Sequence, residues 1–441
     1  MESQFRHVIR QKIADSLALP VPALTRRDVW VPVVPDKAVA VIGMRRAGKT
    51  CMLWQELSDR LADGAVRSAL LYFSFEDERL AGMQAKDLDL IVEEYFRQHP
   101  EHRGHAKAVF FLDEIQLVPG WETFVRRILD TENVDVFLSG SSARMLSREI
   151  ASSMRGRAME ALVRPFSFVE ALRHVGQEPP ATAWPDKRLR STLDKALLTY
   201  LEIGGFPEAQ GLDSRSRTEL LRTYVDVVLL RDIIERHDIS HPQCLRWMVR
   251  QLLANPAGGF SINKFHNDLR SQGVTIGKDK LYAYLEHLED SFLLRCVHLA
   301  TDSIRRRQVN LRKVYPVDTG LIALFNRSGK AQTGHALETA VLHELERRGG
   351  EVAYVKTESG WEVDFHVRMA DGKEYLVQVS ADVDAPATLE REVRALVEAA
   401  QVFPNASLQL VTLARPVGHA VLPENVEMVE ASQWLLMNIS G

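Results

Sequence analysis

The stretch Gly43-Met44-Arg45-Arg46-Ala47-Gly48-Lys49-Thr50 satisfies the pattern GxxxxGK[ST], and its flanks supply the context that the pattern needs. The apolar run Ala38 to Ile42 in front of it predicts a buried strand. Behind it, Met52, Leu53, Leu57 and Leu61 recur at helical spacing. In such a strand-loop-helix the glycines let successive backbone N–H groups turn inward, at a helix N-terminus whose dipole favours negative charge. The loop is expected to hold the phosphates of ATP through Gly43, Arg45, Arg46, Ala47, Gly48, Lys49, Thr50 and Cys51. Lys49 would reach the β and γ oxygens and Thr50 would ligate Mg²⁺. The competing reading is a glycine-rich turn with no ligand.

A partner for metal and hydrolysis is expected at the end of another buried strand, and Val109-Phe110-Phe111-Leu112-Asp113-Glu114 supplies one. Asp113 would hold Mg²⁺ through water and Glu114 would orient or deprotonate the attacking water. An acidic N-cap pair opening the next helix is the alternative. A further run, Leu70 to Phe75, ends in Glu76-Asp77, which reads as a strand meeting a polar loop. The run Val136 to Leu138 ends in Ser139-Gly140-Ser141-Ser142, hydroxyls placed where a γ-phosphate would lie. Ser139 is therefore a candidate sensor, against a simple turn. Arg155 and Arg157 are candidate arginine fingers, in cis or from a neighbouring subunit, against ordinary exposed arginines.

Short apolar runs separated by helical patterns predict an α/β fold, a parallel sheet with helices on both faces, over residues 1–165. Helical periodicity then dominates to about residue 240, broken by Gly176 to Asp186 and by the turn Gly204-Gly205-Phe206-Pro207, which suggests a helical connector or lid over 166–240. With 441 residues there is room for two to four cores. Hydrophobic residues at 46% and charged residues at 26% fit ordinary folded material and exclude disordered or collagen-like chains. No apolar run approaches the length of a spanning helix, and residues 1–19 lack a signal core, so a cytoplasmic location without membrane contact is expected. Cys51, Cys244 and Cys296 lie far apart and read as buried thiols. The net charge of −4 means that any contact with nucleic acid must come from local patches.

One such patch lies in residues 241–330. Leu245, Met248, Val249 and Leu252 stripe one helix, Ser261 caps a second, and Leu281, Leu285, Leu288 and Phe292 stripe a third, followed by two short strands. That order suggests a winged helix-turn-helix with Lys278 and Lys280 opening the third helix. Arg295, Arg305, Arg306, Arg307, Arg312 and Lys313 then stand against Asp302 alone. They read as a phosphate-contacting wing, or as a solvated basic hairpin on a protein-packing module.

Residues 331–441 give a helix carrying Glu338, three strand-like runs, a helix near Leu389 to Ala400 and a strand at Leu408 to Leu413. This order resembles the PD-(D/E)XK nuclease fold, a small α/β restriction-endonuclease-like domain. There an acidic helix residue, a strand Asp and an E-x-K tripeptide hold divalent metal at a phosphodiester. Glu338 and Asp364 match the first two. The third element reads Gln378-Val379-Ser380, so the lysine is missing and a carboxylate has become an amide. Both changes weaken a hard-cation site and argue against cutting. A hairpin with a buried Asp364 is the bland alternative.

Taken together, GMRRAGKT, FLDEIQ with Trp121-Glu122, SGSSA, the MRGR and RPFSF stretches, YLEIGGFPEA, LLRDII and GWEVDF with QVS are similar to a family of AAA-superfamily ATPases. The members of that family join a P-loop domain to a nuclease-like domain. The resemblance implies Mg²⁺-dependent ATP hydrolysis coupled to work on DNA, including branched or junction DNA, by a homo-oligomer such as a hexameric ring. Two other readings stand beside the motor: a nucleotide-controlled regulatory or defence switch, and an ATP-dependent nuclease.

Overall fold

Strand β1 (Ala38–Ile42) is buried at every position, as an uninterrupted apolar run between two parallel neighbours must be. It belongs to a five-stranded sheet with β2 (Leu70–Ser74), β3 (Ala108–Asp113), β4 (Val134–Ser139) and β5 (Ala158–Leu162), in the order β2-β3-β4-β1-β5 and parallel throughout. Successive side chains alternate between the two faces. Val39, Val41, Val109, Phe111 and Phe137 meet Met52, Leu53 and Leu57 of helix α2 (Lys49–Ala62), which follows helix α1 (Arg6–Ala18) in the chain. On the other face Phe110 packs on Tyr95 and Phe96 of helix α3 (Asp89–Gln98). This is the α/β sheet covered on both sides that the sequence led one to expect. The edge strand β5 was not among the expected strands.

The structure, a computed structural model, describes residues 5–104, 107–140, 154–178, 187–303, 305–306, 310–325, 332–414 and 422–437. The chain divides between Arg164 and Pro165 into two units.

In the second unit the helices Pro242–Ala254, Ile262–Ser271 and Lys278–Asp290 accompany a small antiparallel sheet. Its strands β6 (Gly259–Phe260), β7 (Leu294–Val297) and β8 (Arg312–Pro316) run in the order β6-β8-β7. The helical stripes are buried as read except at Phe292, which lies past the end of its helix at φ 59° and is half-buried, and Ser261 accepts a hydrogen bond from the Lys264 N–H at 3.2 Å. A mixed sheet follows, formed by β9 (Glu351–Lys356), β10 (Glu362–Arg368), β11 (Glu374–Ser380), β12 (Ser407–Thr412) and β13 (Val426–Glu430). Its order is β13-β12-β11-β10-β9, antiparallel from β9 to β11 and parallel from β11 to β13. One apolar core joins Phe166, Leu197, Tyr315, Leu337, Phe365 and Trp434, so segments far apart in sequence share one interior.

The Gly204-Gly205 turn shows why two glycines are needed there. Gly204 has φ 78°, and a Cβ on it would collide with the Asp318 carboxylate, while one on Gly205 would collide with the Phe166 carbonyl. Asp318 instead accepts hydrogen bonds from the Gly205 N–H at 2.6 Å and the Gly320 N–H at 2.9 Å. Burial pushes its carboxyl up to about 6. No helix among the described residues is long and apolar enough to cross a membrane. Cys244 and Cys296 are buried, whereas Cys51, expected to be buried, is exposed in the first turn of α2.

Candidate active site

Because β4 lies between β1 and β3 and all three are parallel, the loop after β1, the acidic end of β3 and the hydroxyl end of β4 share one edge of the sheet. The loop turns through Gly43 (φ 144°), Arg46 (φ 65°) and Gly48 (φ 101°), and α2 starts at Lys49. A side chain on Gly43 would strike the Val163 carbonyl, so glycine is required for the loop to lie against the residue after β5. The Lys49 side chain is buried and folds back, donating to the carbonyls of Gly43 at 3.1 Å and Met44 at 3.0 Å.

Asp113 gathers the polar groups at this edge. Its Oδ2 accepts from the Thr50 hydroxyl at 3.0 Å and from the Tyr72 hydroxyl at 2.7 Å, and its Oδ1 accepts from the Ser139 hydroxyl. Ser139 in turn accepts from the Glu114 N–H at 3.1 Å, so one fully buried hydroxyl ties both acidic residues to β4. Glu114 itself has φ 56°, a left-handed turn that ends the strand, and its carboxylate accepts from the Gln116 amide. The pair does not cap a helix with its side chains. Thr50 is exposed while Asp113 is buried, so their facing oxygens form a hard-ligand pair that is open on one side, a donor set suited to Mg²⁺.

Two neighbours of this cluster had not been read as functional. Burial and the Asp113 carboxylate hold the Tyr72 phenol protonated, far above its usual range. Glu76 is raised by burial and then by Glu114 and Asp113, and lowered by Arg45 and Arg46, so it belongs electrostatically to this edge and is more than a strand end. Its partner Asp77 is spent on Lys12 at 3.0 Å and Arg79 at 2.8 Å.

Other expected site residues lie elsewhere. Arg155 and Arg157 precede β5, which runs parallel to β1, so they sit at the amino-terminal edge of the sheet, the edge opposite the loop. A finger acting in cis is excluded by that register, and Arg157 pairs with Asp130. Ser141, Ser142 and Arg307 lie outside the described residues. Lys278, Lys280, Arg305 and Arg306 are exposed, and Lys280 donates to the Ser240 hydroxyl at 2.9 Å. Arg312 is half-buried over the Tyr282 ring. Arg295 is drawn inward by Glu289 at 2.9 Å and Glu346 at 2.5 Å.

Lys313, expected on the basic wing, is a correction. Only 6% exposed, it lies 2.9 Å from Asp364, 2.8 Å from Glu362 and 3.4 Å from Glu338, and burial is stable there because the carboxylates compensate the ammonium. Glu338 also accepts from the Tyr315 hydroxyl at 2.7 Å. Gln378 turns away: its carbonyl accepts from the Asp364 N–H at 3.1 Å and its amide donates to Glu392 at 2.7 Å. In the first unit, His99, Glu101 and His102 bring three potential metal ligands within 4.8 Å, although the Ser68 hydroxyl lies 2.9 Å from the His102 ring.

Residues 35–172 match the family model described as AAA domain, and residues 194–331 match a domain of unknown function, DUF8612. Over 419 residues the chain is 32% identical to the Methanocaldococcus jannaschii protein called uncharacterized protein MJ1544, covering 92% of this chain and 89% of that one. The chain belongs to that protein's family. An uncharacterized protein of Haemophilus influenzae is 29% identical over 358 residues, 79% of this chain and 83% of its own length. Among solved structures, the Walker-type ATPase of Pyrococcus abyssi gives a TM-score of 0.42 at 15% identity, covering 73% of this chain and 95% of that one. The Aeropyrum pernix ORC2 protein gives 0.36 at 14% identity, covering 73% and 91%. Within this family member, residues 35–172 are an AAA-type P-loop ATPase domain.

One residue ahead of this AAA domain that no motif marks is Arg27. It is 4% exposed, its backbone is clasped by Gln55 of α2 at 2.7 and 3.1 Å, and its guanidinium donates to the Ala47 carbonyl of the loop at 2.9 Å and to the Arg164 carbonyl at 2.5 Å. It holds the loop from behind. Arg27→Ala is expected to cost about 1–3 kcal/mol of stability and to weaken nucleotide binding several-fold, read by thermal melts with and without nucleotide. An unchanged melt would show that the loop holds its shape without this brace.

Proposed function

We propose that the chain is a Mg²⁺-dependent ATPase whose nucleotide cycle governs binding and remodelling of DNA, with branched or junction DNA the first substrate to test. The observation that carries the hydrolytic half is the meeting of Thr50, Asp113, Ser139 and Glu114 at one sheet edge beside the phosphate loop. In this reading Lys49 leaves the loop carbonyls for the β and γ oxygens. Thr50 and Asp113 would hold Mg²⁺, which would supply positive charge against the phosphates. Glu114 orients the attacking water and takes its proton, while Ser139 fixes Glu114 and Asp113 relative to each other. Arg155 is left to act on a neighbouring copy, which fits a homo-oligomer in which each site is completed in trans.

The DNA half is supported by the exposed Lys278 and Lys280 at the start of one helix and by Arg305 and Arg306 in the following basic stretch. They accompany a three-helix, three-strand arrangement of winged-helix order. Charge reversal of Arg305 and Arg306 together is expected to lower duplex affinity and to reduce the salt slope by about 2, measured by anisotropy over a salt series. An unchanged slope would move the contact elsewhere.

A second reading, the nucleotide-controlled switch, gains from the fact that Arg295 and Lys313 are spent inside the unit and leave a smaller basic surface than the sequence suggests. ATPase rates without DNA and with duplex, single-stranded and four-way-junction DNA separate the two. Stimulation supports the motor, and slow turnover indifferent to DNA supports the switch.

A further inference from the structure

The carboxyl-terminal sheet and its flanking helix have the element order of a metal-dependent nuclease, so the side chains at the expected metal position decide whether a cation from solution fits there. They do not fit one. The two carboxylates that the resemblance would give to the metal, Glu338 and Asp364, already hold protein donors. Asp364 uses one oxygen for Lys313 and the other for the Val379 N–H at 3.1 Å, and Glu338 Oε1 faces both the Tyr315 hydroxyl and Lys313. The third ligand position carries Gln378, whose oxygen points to a backbone amide. Lys313, Glu338 and Asp364 are all at least nine-tenths buried, which leaves little room for the waters that Mg²⁺ keeps when it binds.

We infer that Lys313 is the resident cation of this cluster: an ammonium carried by β8 takes the electrostatic place of the divalent metal, and the nuclease-like site is a metal-free structural junction closed to phosphodiester cleavage. Three features fit together on this account. A buried ammonium is tolerated only where carboxylates surround it, and three do. The E-x-K lysine is absent from β11, where Ser380 stands in its place, so that strand brings no second cation to the same oxygens. Lys313 and Tyr315, two residues apart on one strand, both reach Glu338, so the strand's own alternation delivers a cation and a hydroxyl to the same carboxylate. The inference is independent of the nucleotide chemistry of the first unit, and its failure would leave that reading standing.

The test is Mn²⁺ binding by the full chain without nucleotide, followed by calorimetry or by electron paramagnetic resonance of free Mn²⁺. In the wild type, Asp364→Asn should leave Mn²⁺ uptake unchanged. Lys313→Ala should gain about one Mn²⁺ per chain, and adding Asp364→Asn should remove it. Lys313→Ala should also lower the melting temperature by roughly 6–20 °C, a loss that Mn²⁺ partly restores. Should Lys313→Ala fail to fold, the wild-type comparison with Asp364→Asn still decides. Mn²⁺ uptake by the wild type that Asp364→Asn abolishes would overturn the inference. So would Mn²⁺-dependent nicking of plasmid DNA that both Asp364→Asn and Lys313→Ala abolish, because Lys313 would then be a relocated catalytic lysine. A folded Lys313→Ala that takes up no additional Mn²⁺ would overturn it as well.

Discussion

Glu114→Gln is expected to bind Mg²⁺-ATP with near wild-type affinity and to hydrolyse it about 10²–10⁴-fold more slowly. The substitution removes the proton acceptor while keeping the shape, so the turn at φ 56° and the hydrogen bond from the Glu114 N–H to Ser139 should persist. The readout is a pair of measurements on one sample: phosphate release under single-turnover conditions and nucleotide binding by calorimetry. Retained turnover would remove Glu114 from the reaction and shift attention to Glu76, whose carboxyl is raised by burial and by Glu114 and Asp113.

Lys49→Ala is expected to fail one step earlier, with nucleotide affinity falling about 10- to 100-fold, the worth of a lost hydrogen bond to a charged group. The ammonium is already confined to the loop by the Gly43 and Met44 carbonyls, so it needs only a short swing to meet a phosphate. About 1–3 kcal/mol of fold stability should be lost as well, since the Gly43 and Met44 carbonyls lose a buried donor, so binding is compared on samples whose melts show them folded. The two variants therefore dissociate binding from hydrolysis. A Lys49→Ala protein that binds as tightly as wild type would show that the loop grips through backbone N–H groups alone.

The nucleotide edge was legible because each part of it is a local pattern. The loop follows an all-apolar strand, and the acidic pair and Ser139 each end another. What escaped notice lacks that signature. Strand β5 reads Ala-Met-Glu-Ala-Leu, half-buried at a sheet edge, with neither the β-branched content nor the alternation that marks a strand. Without it, the register that removes Arg155 and Arg157 from the phosphate edge is invisible. Arg27 acts through one carbonyl of a loop 20 residues away and another 137 residues away, and its own segment carries no motif.

Lys313 was misread for an instructive reason. Five nearby cations made the stretch look like a charged surface, yet from Lys313 onward β8 is buried at every position, and charge density says nothing about which face a strand presents. The missing E-x-K lysine, by contrast, was visible in the sequence. The pairing of Lys313 with Asp364 was not, because the two lie 51 positions apart.

That separation bears on how the protein can be dissected. The ammonium on β8 knots together three stretches of chain, its own strand, the helix bearing Glu338 and the strand bearing Asp364. A fragment beginning after residue 330 would inherit three carboxylates with their counter-charge cut away, and it should emerge insoluble or frayed. Anyone wishing to study the carboxyl-terminal sheet in isolation would need to carry β8 along with it.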